Sequence, residues 1–565
     1  MDSRTRKIIT SKDKIGIEKH FKLSAGPGAG KTTFLVNHIK DVLTNSHRLG
    51  KNKKIACITY TNIATESILK KLDKSIDKVE ISTIHSFLFK HIVKPYIFLI
   101  SEDYNISIEK IKNHEEDIFH TKPFQEWYES INAWGLWENI STTRDFFNSI
   151  KWILDDEDNV VLKPMLTSKT YKLLYWVDKD LSCKYKEICW EKGLISHEDV
   201  LFFAHEIIKK ENRVLDIIRA KFPYMFLDEF QDTSPIQEKI VRKIGEKETI
   251  IGVIGDYGQS IYKFQGADVK KFSNFKLKNM EYYEIKDNYR STEEVIKILN
   301  HIRNEENFIQ KSPENKNGGT PYIIVGNFLD AYSKAIEFTK GDLYTLSYRN
   351  ETANLMKFKS NYDVVGLNEL MDNDPTKYRA ERIFYCISSI EYCKQNKISD
   401  ALKYMKKAHR KVENFTDKNA FEKLYRLFNK YEEFGGMSLK KFYNNNIYDP
   451  PYTMDKISRG DVFEYYESIT YNQLATAINI NEDNSLHKTI HKAKGDEFDN
   501  VMLILLEKDN GLEFLQNPDL ETKEMHRIFY VALSRAKKNL FINIPNLPKN
   551  KEGFLEKLGF KVVCC

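Results

Sequence analysis

Residues 20–33 read HFKLSAGPGAGKTT. An apolar run passes through a glycine-rich stretch into Lys31-Thr32-Thr33, which is the pattern of a short strand, a loop and a helix. Glycines at 26, 28 and 30 let main-chain N–H groups wrap an anion, and Ala29 and Thr33 belong to the same cradle. The positive end of the following helix adds to the attraction. Lys31 supplies a charge for the β- and γ-phosphates of a nucleoside triphosphate, and Thr32 an oxygen for Mg²⁺. Ala25 stands where the pattern has its first glycine. A single loop of this kind predicts a phosphate-binding α/β domain and no particular activity.

Outward from this loop, KKIACITYTN reads as a second buried strand and VEISTIHSF as a third. Residues 89–220 are charged and helix-like, and they hold all six tryptophans (Trp127, Trp134, Trp137, Trp152, Trp176, Trp190). Ordinary helix cores account for such aromatic stripes better than ligand sites do; a surface for duplex DNA is the alternative. Buried strands resume at YMFLDEF and TIIGVIGD. A second α/β pattern begins near residue 280, with candidate strands PYIIVG, DLYTLSY, YDVVGL, NVMLILL and NLFINI, and a second helix-rich stretch interrupts it. The expected plan is α/β: two P-loop-type domains with parallel sheets, each carrying a mainly helical insert. The boundaries are 1–88 and 221–279 for the first core, 89–220 for its insert, 280–375 and 481–565 for the second core, and 376–480 for its insert.

The block MFLDEFQDT at 225–233 places Asp228 and Glu229 at the end of an apolar run. A buried strand delivering two carboxylates to a phosphate site suits one as a Mg²⁺ ligand, Asp228, and the other as the base for an attacking water, Glu229. Further blocks follow in order: TYTN at 59–62, STIHSF at 82–87, GDYGQSIYKFQGA at 255–267, NYRST at 288–292, TIHKAKGDEFDNV at 489–501 and FYVALSRAKKNLFI at 529–542. With the P-loop and DEFQDT, this set resembles the UvrD/Rep-type DNA helicases of superfamily 1, from residue 21 to residue 542. The resemblance implies two RecA-like cores and an ATP- and Mg²⁺-dependent motor that moves 3′ to 5′ on single-stranded DNA and opens duplexes.

Carried over by position, the resemblance implies that Gln259 couples the γ-phosphate to the DNA site and that Tyr289 stacks on the adenine. Arg290 and Arg535 would reach the γ-phosphate from the second α/β domain, and Glu497 would contact the ribose. Arginines that spread transition-state charge are worth about 10³–10⁵ in rate in related NTPases. Tyr60, Tyr262 and Phe264 would stack on bases, at about 1–3 kcal/mol each. Thr59, Asn62, Thr83, His85 and His491 would complete the strand contacts. Phe264 and Gln265 stand where the family has Trp and Arg, and residues 1–30 contain no glutamine, so the family's adenine reader upstream of the P-loop is missing.

The whole chain is compatible with this. Its 565 residues suggest about three or four domains. The 41% hydrophobic and 30% charged composition is that of a globular protein, and no run approaches the roughly 20 apolar residues of a membrane span. The first twenty residues have no apolar signal core, so the cytoplasm is the expected location. The net charge of +6 suits a phosphate-backbone partner without identifying one. None of the seven cysteines forms a CxxC pair, so buried, reduced thiols are expected rather than zinc. The short stretch after the last block leaves no room for a fused RecB-type nuclease, so any cleavage is expected to need a separate nuclease subunit. Two alternatives stay open: an RNA helicase of the other superfamily 1 branch, and a nucleotide-controlled binding module that regulates a nuclease, as in Gabija-type phage defence.

Overall fold

The computed structural model describes residues 6–60, 62–72, 77–115, 119–131, 146–155, 157, 159–165, 179–262, 269–360, 362–412, 414–450, 455–478, 485–509 and 511–565. The chain divides into two compact units, residues 1–318 with 513–534, and residues 319–512 with 535–565.

The first unit is built on seven parallel strands: β1 (Lys7–Ile8), β2 (Phe21–Ala25), β3 (Ile55–Thr59), β4 (Val79–Thr83), β5 (Tyr224–Leu227), β6 (Ile250–Gly255) and β7 (Glu281–Ile285). Their order is β1-β7-β2-β6-β5-β3-β4. Every residue of β3, β5 and β6 is buried, the near-continuous apolar run of a parallel sheet covered on both faces. On one face Phe34, Leu35, Ile39 and Val42 of helix α1 (Lys31–Asn45), with Ile68 and Leu72, pack on Phe21, Leu23, Cys57 and Phe226. The other face is covered by residues 84–93 and by helices His197–Lys210, Arg213–Lys221 and Pro235–Ile244. Because all strands are parallel, the loops after β2, β3, β5, β6 and β7 emerge on one edge. The chain leaves β2 for β3 on one side and returns from β6 to β7 on the other, so β2 lies at a switch point, where open α/β sheets bind ligands.

The insert of this unit is not wholly helical. Ile150–Leu154 and Val160–Pro164 form an antiparallel hairpin, and His114–Glu115 pairs with Ile195–Ser196. Trp127, Trp152 and Trp190 are buried in its core, as the aromatic stripe predicts; Trp134, Trp137 and Trp176 lie outside the described residues. Trp152 stacks on Phe202 at 3.9 Å, and its indole N–H reaches Asp199 Oδ1 at 3.1 Å. The Asp199 carboxylate is held in the interior by Lys186, 2.9 Å away.

The second unit has a six-stranded parallel sheet: β8 (Tyr322–Val325), β9 (Leu343–Ser347), β10 (His487–Thr489), β11 (Phe498–Ile504), β12 (Ala536–Ile544) and β13 (Lys561–Cys564), in the order β10-β9-β11-β12-β8-β13. Its insert is helical, with Lys377–Lys394, Ile398–Ala408, Asp417–Phe428 and shorter helices around a separate apolar core. The architecture is two RecA-like α/β units, each with an inserted subdomain.

Two expectations change. The second core was placed from residue 280, but β7 pairs in register with β2 (Glu281 with Phe21, Ile285 with Ala25), so residues to 318 complete the first unit. Helix Glu524–Leu533 also belongs to the first unit. YDVVGL is not a strand; Val365 packs into the insert core and Gly366 caps helix Leu367–Asn373. Among the described cysteines all are free thiols; Cys57, Cys189 and Cys386 are buried, while Cys564 and Cys565 are exposed.

Candidate nucleotide site and strand-binding face

The loop Gly26–Gly30 joins β2 to α1. Gly28 and Gly30 have φ of 68° and 82°, a region that favours glycine, so the loop turns its N–H groups inward. Neither can be replaced. A Cβ on Gly28 would lie 2.4 Å from Asn288 Oδ1, and one on Gly30 2.8 Å from Ser11 Cβ. Lys31 Nζ points back over the loop and donates to Ala25 O at 3.4 Å.

Two strands away, β5 ends at Asp228, whose N–H donates to Ile58 O at 2.9 Å across the sheet. Burial, reinforced by the adjacent Glu229 and opposed by Lys31, pushes the Asp228 carboxyl up to about 7. Glu229 has φ 51°, a left-handed backbone in a residue with a side chain, which costs of order 1–3 kcal/mol and is concentrated at functional sites. Its carboxylate accepts from Gln231 Nε2. Gln231 is fully buried, and its Oε1 accepts the N–H of Asp256 at 3.0 Å. Asp256 in turn accepts from Gln259 Nε2 at 2.8 Å and from Arg303 Nη1 at 2.7 Å. An unbroken chain of polar contacts thus runs from Glu229 to Gln259.

Tyr289 and Arg290 follow β7. Tyr289 N–H donates to Gly28 O at 2.9 Å, and its hydroxyl donates to Asp287 at 2.9 Å. Asn288 Oδ1 receives the N–H groups of Arg290 and Ser291, both at 3.0 Å. Arg290 Nη1 donates to Ser534 O at 3.0 Å. Arg290 was expected to come from the second α/β domain; it belongs to the first unit, beside the P-loop, because β7 pairs with β2. Arg535 does lie in the second unit, buried, with Nη1 3.3 Å from Asp496 O. Glu497, expected at the ribose, is half-exposed and paired with Lys537 at 2.8 Å.

Among the residues expected to contact a strand, Tyr60 and Tyr262 come from different sequence blocks yet stack on each other, with ring centres 4.8 Å apart and planes at 24°. Burial, then Asp232, holds both phenols in the neutral form. Thr59 Oγ1 meets Thr65 Oγ1 at 2.8 Å. Thr83 caps helix Ile84–Leu88, so its hydroxyl is partly committed to Ser86. His85 packs against His197 at 5.3 Å, and burial, with His197 and His114 nearby, lowers its pKa to about 3. In the second unit the His491 ring lies 6.1 Å from Tyr348. Phe264 and the side chain of Asn62 lie outside the described residues.

Several residues of the site escape sequence reasoning. Gln231 sits inside DEFQDT but carries no chemistry of its own. Arg527, whose Nε donates to Ser260 O at 2.7 Å, lies just ahead of FYVALSR; Asp256 lies inside GDYGQSIYKFQGA without a role of its own there, and Arg303 shows no local signal.

A P-loop at a switch point, the adjacent carboxylates Asp228 and Glu229 at the end of β5, and Arg290 beside the loop define a P-loop nucleoside triphosphatase. Sequence comparison is more specific. Residues 5–280 match the UvrD/REP helicase N-terminal domain, and residues 376–546 match the UvrD-like helicase C-terminal domain. The chain belongs to the UvrD/Rep helicase family, and its activity is that of a DNA-dependent ATPase of the helicase class. It is 25% identical to Gabija protein GajB of Bacillus cereus (strain HuB5-5), over 92% of each chain. It is 22% identical to the ATP-dependent DNA helicase Rep of Buchnera aphidicola subsp. Acyrthosiphon pisum, over 92% of this chain and 91% of that one. To the ATP-dependent DNA helicase PcrA of Bacillus subtilis it is 26% identical, over 52% of this chain and 38% of PcrA. Among the described residues no helix is long and apolar enough to cross a membrane.

Proposed function

We propose that the chain translocates 3′ to 5′ on single-stranded DNA and separates strands at single-strand/duplex junctions, in a phage-defence setting with a separate nuclease as partner. The observation that carries the coupling is the contact chain Glu229–Gln231–Asp256–Gln259, which links the hydrolytic carboxylate to the loop leading to Tyr262. A change at the γ-phosphate that moves Glu229 pulls on that loop, and so on the Tyr60–Tyr262 stack where bases would lie.

In this reading the N–H groups of Gly26 and of residues 28–33, with the Lys31 ammonium, hold the phosphates, and Glu229 takes the proton of the attacking water. Tyr289 faces the base, and Arg290 and Arg535 neutralise charge on the γ-phosphate. The donors also fit Mg²⁺. Among the described residues no group of three or more His, Cys, Asp or Glu converges, so the ion would rest on Thr32, Asp228 and the phosphates, the usual arrangement for Mg²⁺ with a nucleotide. Likeness to GajB over nearly the full length supports the defence setting and favours a second reading, a nucleotide-controlled DNA-binding module that regulates a nuclease with little unwinding.

A strand-displacement assay on duplexes with a 3′ or a 5′ single-stranded tail separates the readings. ATP-dependent displacement from the 3′-tailed substrate alone is expected. Displacement from the 5′ tail would overturn the polarity, and tight ATP-dependent binding without displacement would favour the module.

A further inference from the structure

The P-loop is packed from behind by a side chain that belongs to none of the sequence blocks. Gln310 is 2% exposed. Its main chain is held on helix Glu293–Arg303: Gln310 N donates to Asn300 Oδ1, and Asn300 Nδ2 donates back to Gln310 O, both at 2.9 Å. The next residue extends the pairing, with Lys311 N donating to Lys286 O at 2.9 Å and Asn288 N donating to Lys311 O at 2.8 Å. From this fixed base the carboxamide crosses to the nucleotide loop. Its Nε2 donates to Pro27 O at 3.1 Å and to Asp287 O at 3.4 Å. One carbonyl belongs to the P-loop, and the other to the turn that carries Tyr289 and Arg290. A primary amide has two N–H bonds, so one side chain can serve both.

The same amide lies on Gly26. A Cβ at position 26 would be 2.5 Å from Gln310 Cδ and 2.6 Å from its Nε2. Gly26 is not among the positive-φ glycines, unlike Gly28 and Gly30. Its backbone would therefore tolerate a side chain, and the space is closed by Gln310.

We propose that Gln310 is a positioning residue for ATP hydrolysis, whose carboxamide locks the P-loop to the Tyr289–Arg290 turn so that both meet the nucleotide as one body. It touches the main chain behind the loop and acts through it. Without the amide, two carbonyls lose a buried donor and the loop and the turn shift independently. The effect falls on nucleotide capture more than on the chemical step. The proposal rests on the reading of residues 26–33 as the phosphate loop.

The test is steady-state ATPase kinetics on saturating single-stranded DNA, with nucleotide-free melting curves as a check on folding. Gln310→Met keeps length and bulk but lacks the donor. Its KM for ATP should rise about tenfold, with kcat within about threefold of wild type and a melt still cooperative and lowered by no more than a few degrees. Gly26→Ala should raise KM further, because the new methyl meets the amide. Adding Gln310→Ala to Gly26→Ala should bring KM back down to the level of Gln310→Met and no further, because the clash is gone while the donor is still missing. An unchanged KM in Gln310→Met, a lower melt with unchanged KM, or a double variant no better than Gly26→Ala would each overturn the proposal. A wild-type chain that neither binds nor hydrolyses ATP would instead remove the phosphate-loop reading beneath it.

Discussion

Glu229 combines a carboxylate with a backbone that side chains seldom adopt, φ 51°. Glu229→Gln is expected to keep ATP binding and lose at least about a hundredfold in kcat, because the base is removed while Asp228 stays. Turnover within a few-fold of wild type, measured at saturating ATP and DNA, would reassign the base. Glu229→Gly should be as inactive yet melt higher than Glu229→Ala, since only glycine is free of strain at that φ, a difference of about 1 kcal/mol. Nucleotide choice is also decided by single residues. Tyr289 can stack on a base, and the described segment before the P-loop offers Ser11, against Gly30, in place of the missing glutamine. Stacking barely separates adenine from guanine, so ATP is expected to be preferred over GTP by less than about tenfold in kcat/KM. A hundredfold preference would point to a hydrogen-bonding reader near Ser11. Lys31 and Glu229 stand out in the sequence because each is a chemical group within a recognisable spacing, and Tyr289 only through the family resemblance of NYRST. Gln231 and Asp256 lie inside sequence blocks but their roles as links were not legible, and Arg303 and Gln310 lie outside every block, because all four act by holding other groups and carry no chemistry of their own.

Elements bring together what the blocks keep apart. The loop after β3 and the loop after β6 deliver Tyr60 and Tyr262 to one stack, though about two hundred residues separate them. Rings in contact do not act independently, so Tyr60→Ala and Tyr262→Ala should each weaken single-stranded DNA binding, and the double variant should lose less than the sum. Strict additivity in a fluorescence-anisotropy titration at fixed salt would show that the rings engage DNA separately. Element boundaries were read less well than element types. β7 (EYYEI) has no clear alternation and did not stand out as a strand, and residue type does not say which sheet it joins; its place beside β2 follows from the crossover after β6, and with it the unit to which Arg290 belongs. YDVVGL looks like a strand by residue type, yet its one buried valine serves the insert core, and the chain there is already turning into helix Leu367–Asn373.

At five positions in the molecule a histidine sits where protonation is costly. Burial lowers the pKa to about 4 at His38, His114 and His487, and to about 3 at His85 and His409. In each case the folded pKa lies below the unfolded value of about 6.5, so on acidification the unfolded chain takes up protons that the folded chain refuses. Stability is therefore full above pH 6.5 and falls as the pH drops toward 4. Each such histidine contributes a slope of up to about 1.4 kcal/mol per pH unit. His38 is the cleanest case, boxed by Phe21, Phe34 and Phe226 with no partner for its buried Nε2. Melting temperatures recorded from pH 7.5 to 4.5 should fall steadily, and His38→Leu should flatten the decline. A melt that is level across this range would mean that the buried rings protonate without loss of packing.

The partition of the chain between the two units has a consequence for its synthesis. Residues 513–534 return to the first unit after nearly two hundred residues have gone to the second, and Arg527 in that segment donates to Ser260 O and Leu520 O. A ribosome that has released residue 318 has therefore not yet delivered everything the first unit needs. The nascent chain must wait, with Ser260 O lacking its guanidinium partner, until β8 to β11 of the second unit have been made and residue 527 has left the exit tunnel.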